Sequence, residues 1–374
     1  MKNSNFDLVN LMRTVFAPKP EERVGVFIDL KNPQDICGLK FAGNGRQRTR
    51  QIAYEVFYQG LLKNELPIAS VEFFAYEPTG GSNLDLPPTV VDSHGKTSRL
   101  IEDVLSRLNI VLFLTTYSAT APLTALAKKM GFRGATMHGC NDIVLNTGLS
   151  KNYEEVSAKA ERFRQALTRC DDVIVEFEAL GRKFHLTLVL GRDQEAQKSH
   201  GLCRAGGEIA NLPAGEIYWV PESASGQFPM KFKEDHTLAV MDVKDGRICG
   251  GSLLSGSAKT LDAALFRFAS DPATGALGEL GLGTQVLPPS GADIQDEKIL
   301  GTMHLATGRD DHLGGKIDPS KFKNKMNATH EDILFAPHKT PEINVKAVWM
   351  RKDDREILLI QNYQPTDFVK QAAL

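Results

Sequence analysis

The apolar residues change period near residue 170, and that change constrains the fold more than any other feature of the chain. Before it, short apolar runs alternate with segments of helical period. VGVFIDL (24–30), ASVEFFAYE (69–77), IVLFLTT (110–116) and RGATMHG (133–139) read as buried strands. Residues 48–63, 97–108 and 122–130 read as helices between them. A first helix over 5–17 presents Leu8, Met12 and Val15 on one face, with Ser4 or Asn5 as its cap. The Pro- and Gly-rich stretch 78–96 reads as a long loop. This βαβα order predicts a parallel, doubly wound domain. A charged helix over 151–169 serves as connector, with Val156, Ala160, Phe163 and Leu167 on one stripe.

After it the period is 2. Val173, Val175 and Phe177 alternate, Gly181 turns the chain, and Phe184, Leu186, Leu188 and Leu190 alternate back. Asp245-Gly246 and Asp353-Asp354 predict two further hairpins, and 259–269 one helix. The expected organisation is an N-terminal doubly wound α/β domain over 1–160, then a β-rich α+β metal-binding domain over 161–374.

Composition excludes several classes. A net charge of -2 gives no general affinity for nucleic acid or an anionic membrane. No apolar run is long enough to span a bilayer. The opening MKNSNFDLVNLMRTVF lacks an apolar core and a cleavage site, so no signal peptide is expected. Five scattered cysteines without C-x-x-C spacing fit reduced thiols in a cytoplasm. The GNG at 43–45, beside the basic GRQRTR cluster, lacks a full phosphate-loop pattern and reads as a solvated loop. His138, at the end of its strand, reads as structural. Trp219 and Trp349 read as core or subunit-contact residues.

The stretch from Leu277 to Leu334 concentrates the chemistry. Glu279 sits in LGELGLG, His304 in ILGTMHLAT, and His330 and Asp332 in THEDIL. An ionisable group in apolar sequence must be paired, hydrogen-bonded or metal-bound. His330 and Asp332, two apart on a strand, project from one face while Glu331 points away. Upstream, Pro213-Ala214-Gly215 turns into EIYWV and delivers Glu216 at its head. Mixed oxygen and nitrogen donors suit Zn, Mn, Co or Fe(II) better than Ca or Mg.

Together with NLPAGEIYWVP (211–221), these motifs resemble the aminopeptidase T (leucyl aminopeptidase) family of metallo-aminopeptidases. The likeness is clear over 205–336, fainter over 110–145 and poor over 1–100. It implies that Glu216, Glu279, His304, His330 and Asp332 bind two divalent ions (Zn, Co or Mn). It also implies that Glu216 or Glu279 doubles as general base, and that the protein is a homodimer acting on peptides or amino-acid amides. Many family members carry a catalytic Tyr where this chain has Asp311. Asp310, Asp311 and His312 either replace it, bind a substrate amine, or form a solvated turn. Of these, Asp311 is the candidate catalytic residue.

The expected function is therefore a cytoplasmic metallo-aminopeptidase, a hydrolase, or a related amidase. The alternative is a mononuclear non-haem Fe(II) ring-cleaving dioxygenase of the same fold. The dihydroxypyridine dioxygenases resemble this chain in the closing H-x-D and lack the paired glutamates. A metal-stabilised binding protein without turnover is the third reading.

Overall fold

The computed structural model describes residues 6–41, 48–63 and 66–372. Over these the chain is a two-domain α/β protein. One compact unit comprises Met1–Ala158, Ser199–Ala214 and Ala292–Gln295; the other comprises Lys159–Lys198, Gly215–Gly291 and Asp296–Leu374.

The first unit is built on a seven-stranded sheet. Its order is Ile209–Asn211, Arg133–Thr136, Ile110–Phe113, Arg23–Asp29, Ser70–Tyr76, Thr89–Asp92 and Thr97–Arg99. The first five strands pair in parallel and the last two antiparallel. From Arg23–Asp29 the chain adds strands on both sides, which is the doubly wound pattern. Both faces are covered. Val24, Val26 and Ile28 pack in one core with Leu11, Met12 and Val15 of the helix Leu8–Val15. Phe27 stacks on Phe74 and Phe113 in the other. Strands buried on both sides read as unbroken apolar runs for this reason.

The first unit departs from expectation in two places. Thr89–Asp92 and Thr97–Arg99 form an edge hairpin where 78–96 reads as loop and 97–108 as helix. An edge pair needs little burial, and Val90 and Val91 are its only buried residues, so no periodic signal exists. Leu100–Arg107 then winds in irregular helical turns. The first helix is capped by Asp7, whose carboxylate accepts from the Asn10 amide at 2.9 Å. Ser4, Asn5 and the GNG segment lie outside the described residues.

The second unit has an eight-stranded antiparallel sheet. Its order is Arg247–Ser255, Leu238–Lys244, Ser223–Lys231, Arg182–Val189, Asp172–Ala179, Ile343–Lys352, Arg355–Gln361 and Gln364–Pro365. Three of its hairpins turn on residue pairs with positive φ: Leu180 and Gly181 (48° and 75°), Asp245 and Gly246 (51° and 75°), Asp353 and Asp354 (52° and 58°). Two-residue hairpins need that geometry to match the strand twist.

A second sheet runs His330–Phe335, Met303–Gly308, Leu277–Gly283, Glu216–Trp219, with Gln197–Ser199 at its edge. One apolar core joins the two sheets. The larger sheet contributes Val175, Leu186, Phe228, Met241 and Val348. The smaller contributes Ile217, Trp219, Leu280, Leu282, Met303, Leu305, Ile333 and Phe335. Trp219 is thus a core residue, while Trp349 is half-buried. No described helix is long and apolar enough to cross a membrane. All five cysteines are free.

Candidate metal centre

Because side chains alternate along a strand, residues flanking the core-facing ones emerge on the other face of the small sheet. Those residues are Glu216 and Tyr218, Glu279 and Gly281, His304 and Ala306, and His330 and Asp332. Strand register then sets them side by side. Glu279 pairs across to Ala306, which pairs to Asp332. Gly281 lies between Tyr218 and His304. A Cβ at Gly281 would fall inside the His304 imidazole, so glycine is what lets that ring lie flat across the neighbouring strand.

All five ligand candidates meet in one cluster. Glu279 is its hub: Oε1 is 3.3 Å from His304 Nε2, and Oε2 is 3.0 Å from His330 Nε2. His330 Nε2 is also 3.2 Å from Asp332 Oδ1. Glu216 Oε2 stands 3.8 Å from His304 Nε2. The His330 ring is oriented from behind, where Nδ1–H donates to the Arg309 carbonyl at 2.6 Å. With Nδ1 so engaged, Nε2 is the inward nitrogen: it is protonated toward Glu279 and Asp332 in the metal-free chain and would be the one to face a metal. Every member is buried except Asp332, whose side chain is 31% exposed. Asp332 therefore marks the side open to solvent.

Two charged residues complete the cluster that motif reading missed. Lys298 Nζ lies 2.6 Å from Glu216 Oε1 and 2.6 Å from Glu297 Oε1. Glu297 carries an oxygen that falls within 4.8 Å of ligand atoms of His304 and Asp332. The DEK triplet 296–298 looks like a solvated turn in sequence, yet all three residues are buried.

The electrostatics favour positive charge. Burial raises the Glu279 carboxyl, but hydrogen bonds from His304 and His330 outweigh it and hold it well below the usual carboxylate range. Burial lowers His304, but Glu279 reverses this and lifts it to about 9. Burial pushes Glu297 up to about 7, against the pull of Lys298. Burial, with Glu279 and Glu216 beside it, keeps the Tyr218 phenol protonated. Four carboxylates stand against one ammonium, and the same carboxylates raise the His304 and His330 imidazoles, which carry protons that a metal ion would displace.

The donors fit a divalent transition metal. Three groups have ligand atoms mutually within 4.8 Å: Glu216, Glu279 and His304; Glu279, His330 and Asp332; and Glu297, His304 and Asp332. Glu216 Oε2 and His304 Nδ1 are buried without a hydrogen-bond partner.

The loop after Met303–Gly308 lies beside this cluster. Asp311 is engaged by the Arg309 guanidinium at 2.7 and 3.3 Å and belongs to none of the three groups. Asp310 accepts from the Ile317 amide at 2.7 Å, and burial pushes its carboxyl up to about 6. His312 sits edge-on to His330 with ring centroids 5.0 Å apart. Burial holds its imidazole neutral, and its buried Nδ1 has no hydrogen-bond partner.

No protein-family profile matches the sequence, and no curated protein matches it. Among solved structures, the chain is similar to the 2,5-dihydroxypyridine dioxygenase from Pseudomonas putida KT2440, with a TM-score of 0.60 and 14% identity over 97% of this chain and 98% of that one. At that identity the likeness is one of fold. It nevertheless corrects the expectation of a hydrolase, because this neighbour is named a dioxygenase, an oxidoreductase.

Proposed function

We propose that this chain is a mononuclear non-haem Fe(II) dioxygenase that opens the ring of a hydroxylated aromatic compound. The observation that carries this reading is the convergence of His330, Glu279 and Asp332, whose ligand atoms lie within 4.8 Å of one another, with His304 on the other oxygen of Glu279. A set of imidazole and carboxylate donors with a side open to solvent suits Fe(II), and here it offers one imidazole and two carboxylates, with a second imidazole beside them. The fold likeness to a 2,5-dihydroxypyridine dioxygenase supports the same reading.

His330, Asp332 and Glu279 would hold the iron, with His304 on the far side of Glu279. Iron bound there supplies the one-electron chemistry by which O2 reacts with an aromatic ring. The residues around it do the positioning. Arg309 fixes the His330 tautomer through its carbonyl. Half-exposed Asp332 leaves the substrate's approach on its side of the cluster. The Tyr218 phenol, kept protonated, is a hydrogen-bond donor for a ring oxygen. The neutral His312 imidazole, whose buried Nδ1 has no hydrogen-bond partner, can accept a hydrogen bond from a ring hydroxyl. The five free cysteines support the reading that the protein works in a reducing compartment such as the cytoplasm.

The test is oxygen consumption. Fe(II)-loaded protein, prepared without air, is mixed with 2,5-dihydroxypyridine and with a panel of dihydroxybenzenes. Substrate-dependent O2 uptake, lost in His330→Ala, is expected. No uptake with any ring, alongside cleavage of aminoacyl amides by Zn-, Co- or Mn-loaded protein, would overturn the reading.

A further inference from the structure

We propose that the Lys298 ammonium is a built-in cation standing where a second metal ion would sit, and that removing it opens a divalent-cation site made of Glu216, Glu297 and His304. The inference rests on the one-iron reading of Glu279, His330 and Asp332, and adds what limits the site to one ion.

The geometry begins with the lysine. Its side chain is 1% exposed, and Nζ is held between Glu216 Oε1 and Glu297 Oε1 at 2.6 Å each. A lysine buried alone would surrender its proton. Two carboxylates at contact distance prevent that, so this ammonium is neither a nucleophile nor a base. Its chemistry is its charge.

The surroundings are those of a metal ligand set. Glu216 spends one oxygen on Lys298, and its other oxygen, Oε2, is buried without a hydrogen-bond partner. That oxygen faces His304 Nε2 at 3.8 Å. Glu297 also reaches the His304 side of the cluster. An ammonium sits farther from its oxygens than a metal does, since metal–carboxylate bonds are about 2.0–2.2 Å. The carboxylates need to close by only about 0.5 Å to exchange one for the other. Replacing a single charge by a double one also fits a cluster with surplus carboxylate. With Lys298 in place, Glu216 and Glu297 already share one cation, and Glu279, His330 and Asp332 are the ligand group left for a metal ion.

Metal stoichiometry tests this without reference to turnover. The full-length chain and Lys298→Ala are dialysed to equilibrium against Mn(II), and separately Zn(II), and bound metal per chain is measured by mass spectrometry. One ion in the wild type and two in Lys298→Ala are expected, with the second lost again when Glu216→Gln and Glu297→Gln are added. The second ion should also raise the Tm of Lys298→Ala by more than saturating metal raises that of the wild type. Two ions in the wild type would overturn the proposal, and so would a folded Lys298→Ala that still binds one. If Lys298→Ala does not fold even with metal present, the wild-type count alone decides between one and two. A wild type that binds no ion contradicts the metal centre itself, a separate failure from a count of two.

Discussion

His330 Nε2 lies 3.0 Å from Glu279 Oε2, and the two residues come from strands that are not neighbours in their sheet. The strand Met303–Gly308 runs between them, and its Ala306 is what lets them meet. Ala306 pairs with Glu279 on one side and Asp332 on the other, and its methyl is too short to separate them. The centre is thus a property of strand register: three small or flat groups, Gly281, Ala306 and the His304 ring, leave room for the carboxylates.

Glu279→Gln tests the hub. The amide keeps the shape and loses the charge that both imidazoles face. Iron affinity should fall by at least ~10-fold, measured by competition with a chromophoric chelator, while the thermal transition of the metal-free chain moves little. Unchanged affinity would remove Glu279 from the ligand set.

Gly281→Ala tests the space for His304. The added methyl overlaps the ring, so the ring or the strand must move. A loss of ~1–3 kcal/mol is expected by urea unfolding, with reduced iron content at a fixed iron concentration. A variant of wild-type stability and full iron content would show that the ring has another place to go.

Asp311→Asn tests the loop. The carboxylate is already committed to Arg309. Iron content should stay unchanged, and O2 uptake should change far less than the ~10²-fold typical of a lost acid–base group. A ~10²-fold loss would place Asp311 in the chemistry.

The first unit supplies a pH prediction. Glu22 and Arg133 form a buried pair, with Arg133 Nη2 2.8 Å from Glu22 Oε2. Burial raises the Glu22 carboxyl, but Arg133 outweighs it and holds the pKa below the usual value. A depressed carboxylate adds stability that is fully present above its unfolded pKa and is lost as pH falls through the folded one. Glu22→Gln should cost about 3 kcal/mol near neutral pH, because it strands a buried guanidinium. The deficit should shrink in acid as the wild type protonates. A deficit that stays constant from neutral pH into acid would show that the pair is not what Glu22 contributes.

Local signals were enough for much of this architecture. His330 and Asp332 are two apart on one strand, and the alternation of Ile333 and Phe335 shows which face they leave free. Glu216 sits at the head of an equally regular strand. The hairpin pairs Asp245-Gly246 and Asp353-Asp354 carry their turn geometry in their own residue types. Lys298 and Glu297 had no such signal. Their burial depends on Glu216, far away in the chain, and no period in DEKIL distinguishes a buried ion pair from a wet turn. The edge hairpin of Val90 and Val91 was hidden for the opposite reason, since it buries too little to be periodic. Ligand types alone also leave the number of ions open: Glu216 is a ligand candidate by type, and only the fold shows Lys298 against one of its oxygens.

The central claim is that one iron at Glu279, His330 and Asp332 serves the insertion of O2 into an aromatic ring. Its most direct measurement is turnover of 2,5-dihydroxypyridine, or of whichever dihydroxy ring drives O2 uptake, under isotopically labelled O2 with mass analysis of the product. The account predicts a ring-opened product carrying both labelled atoms, formed only by the iron-loaded chain and not by His330→Ala. A product without label, or no ring opening by fully iron-loaded protein with any ring of the panel, would contradict it.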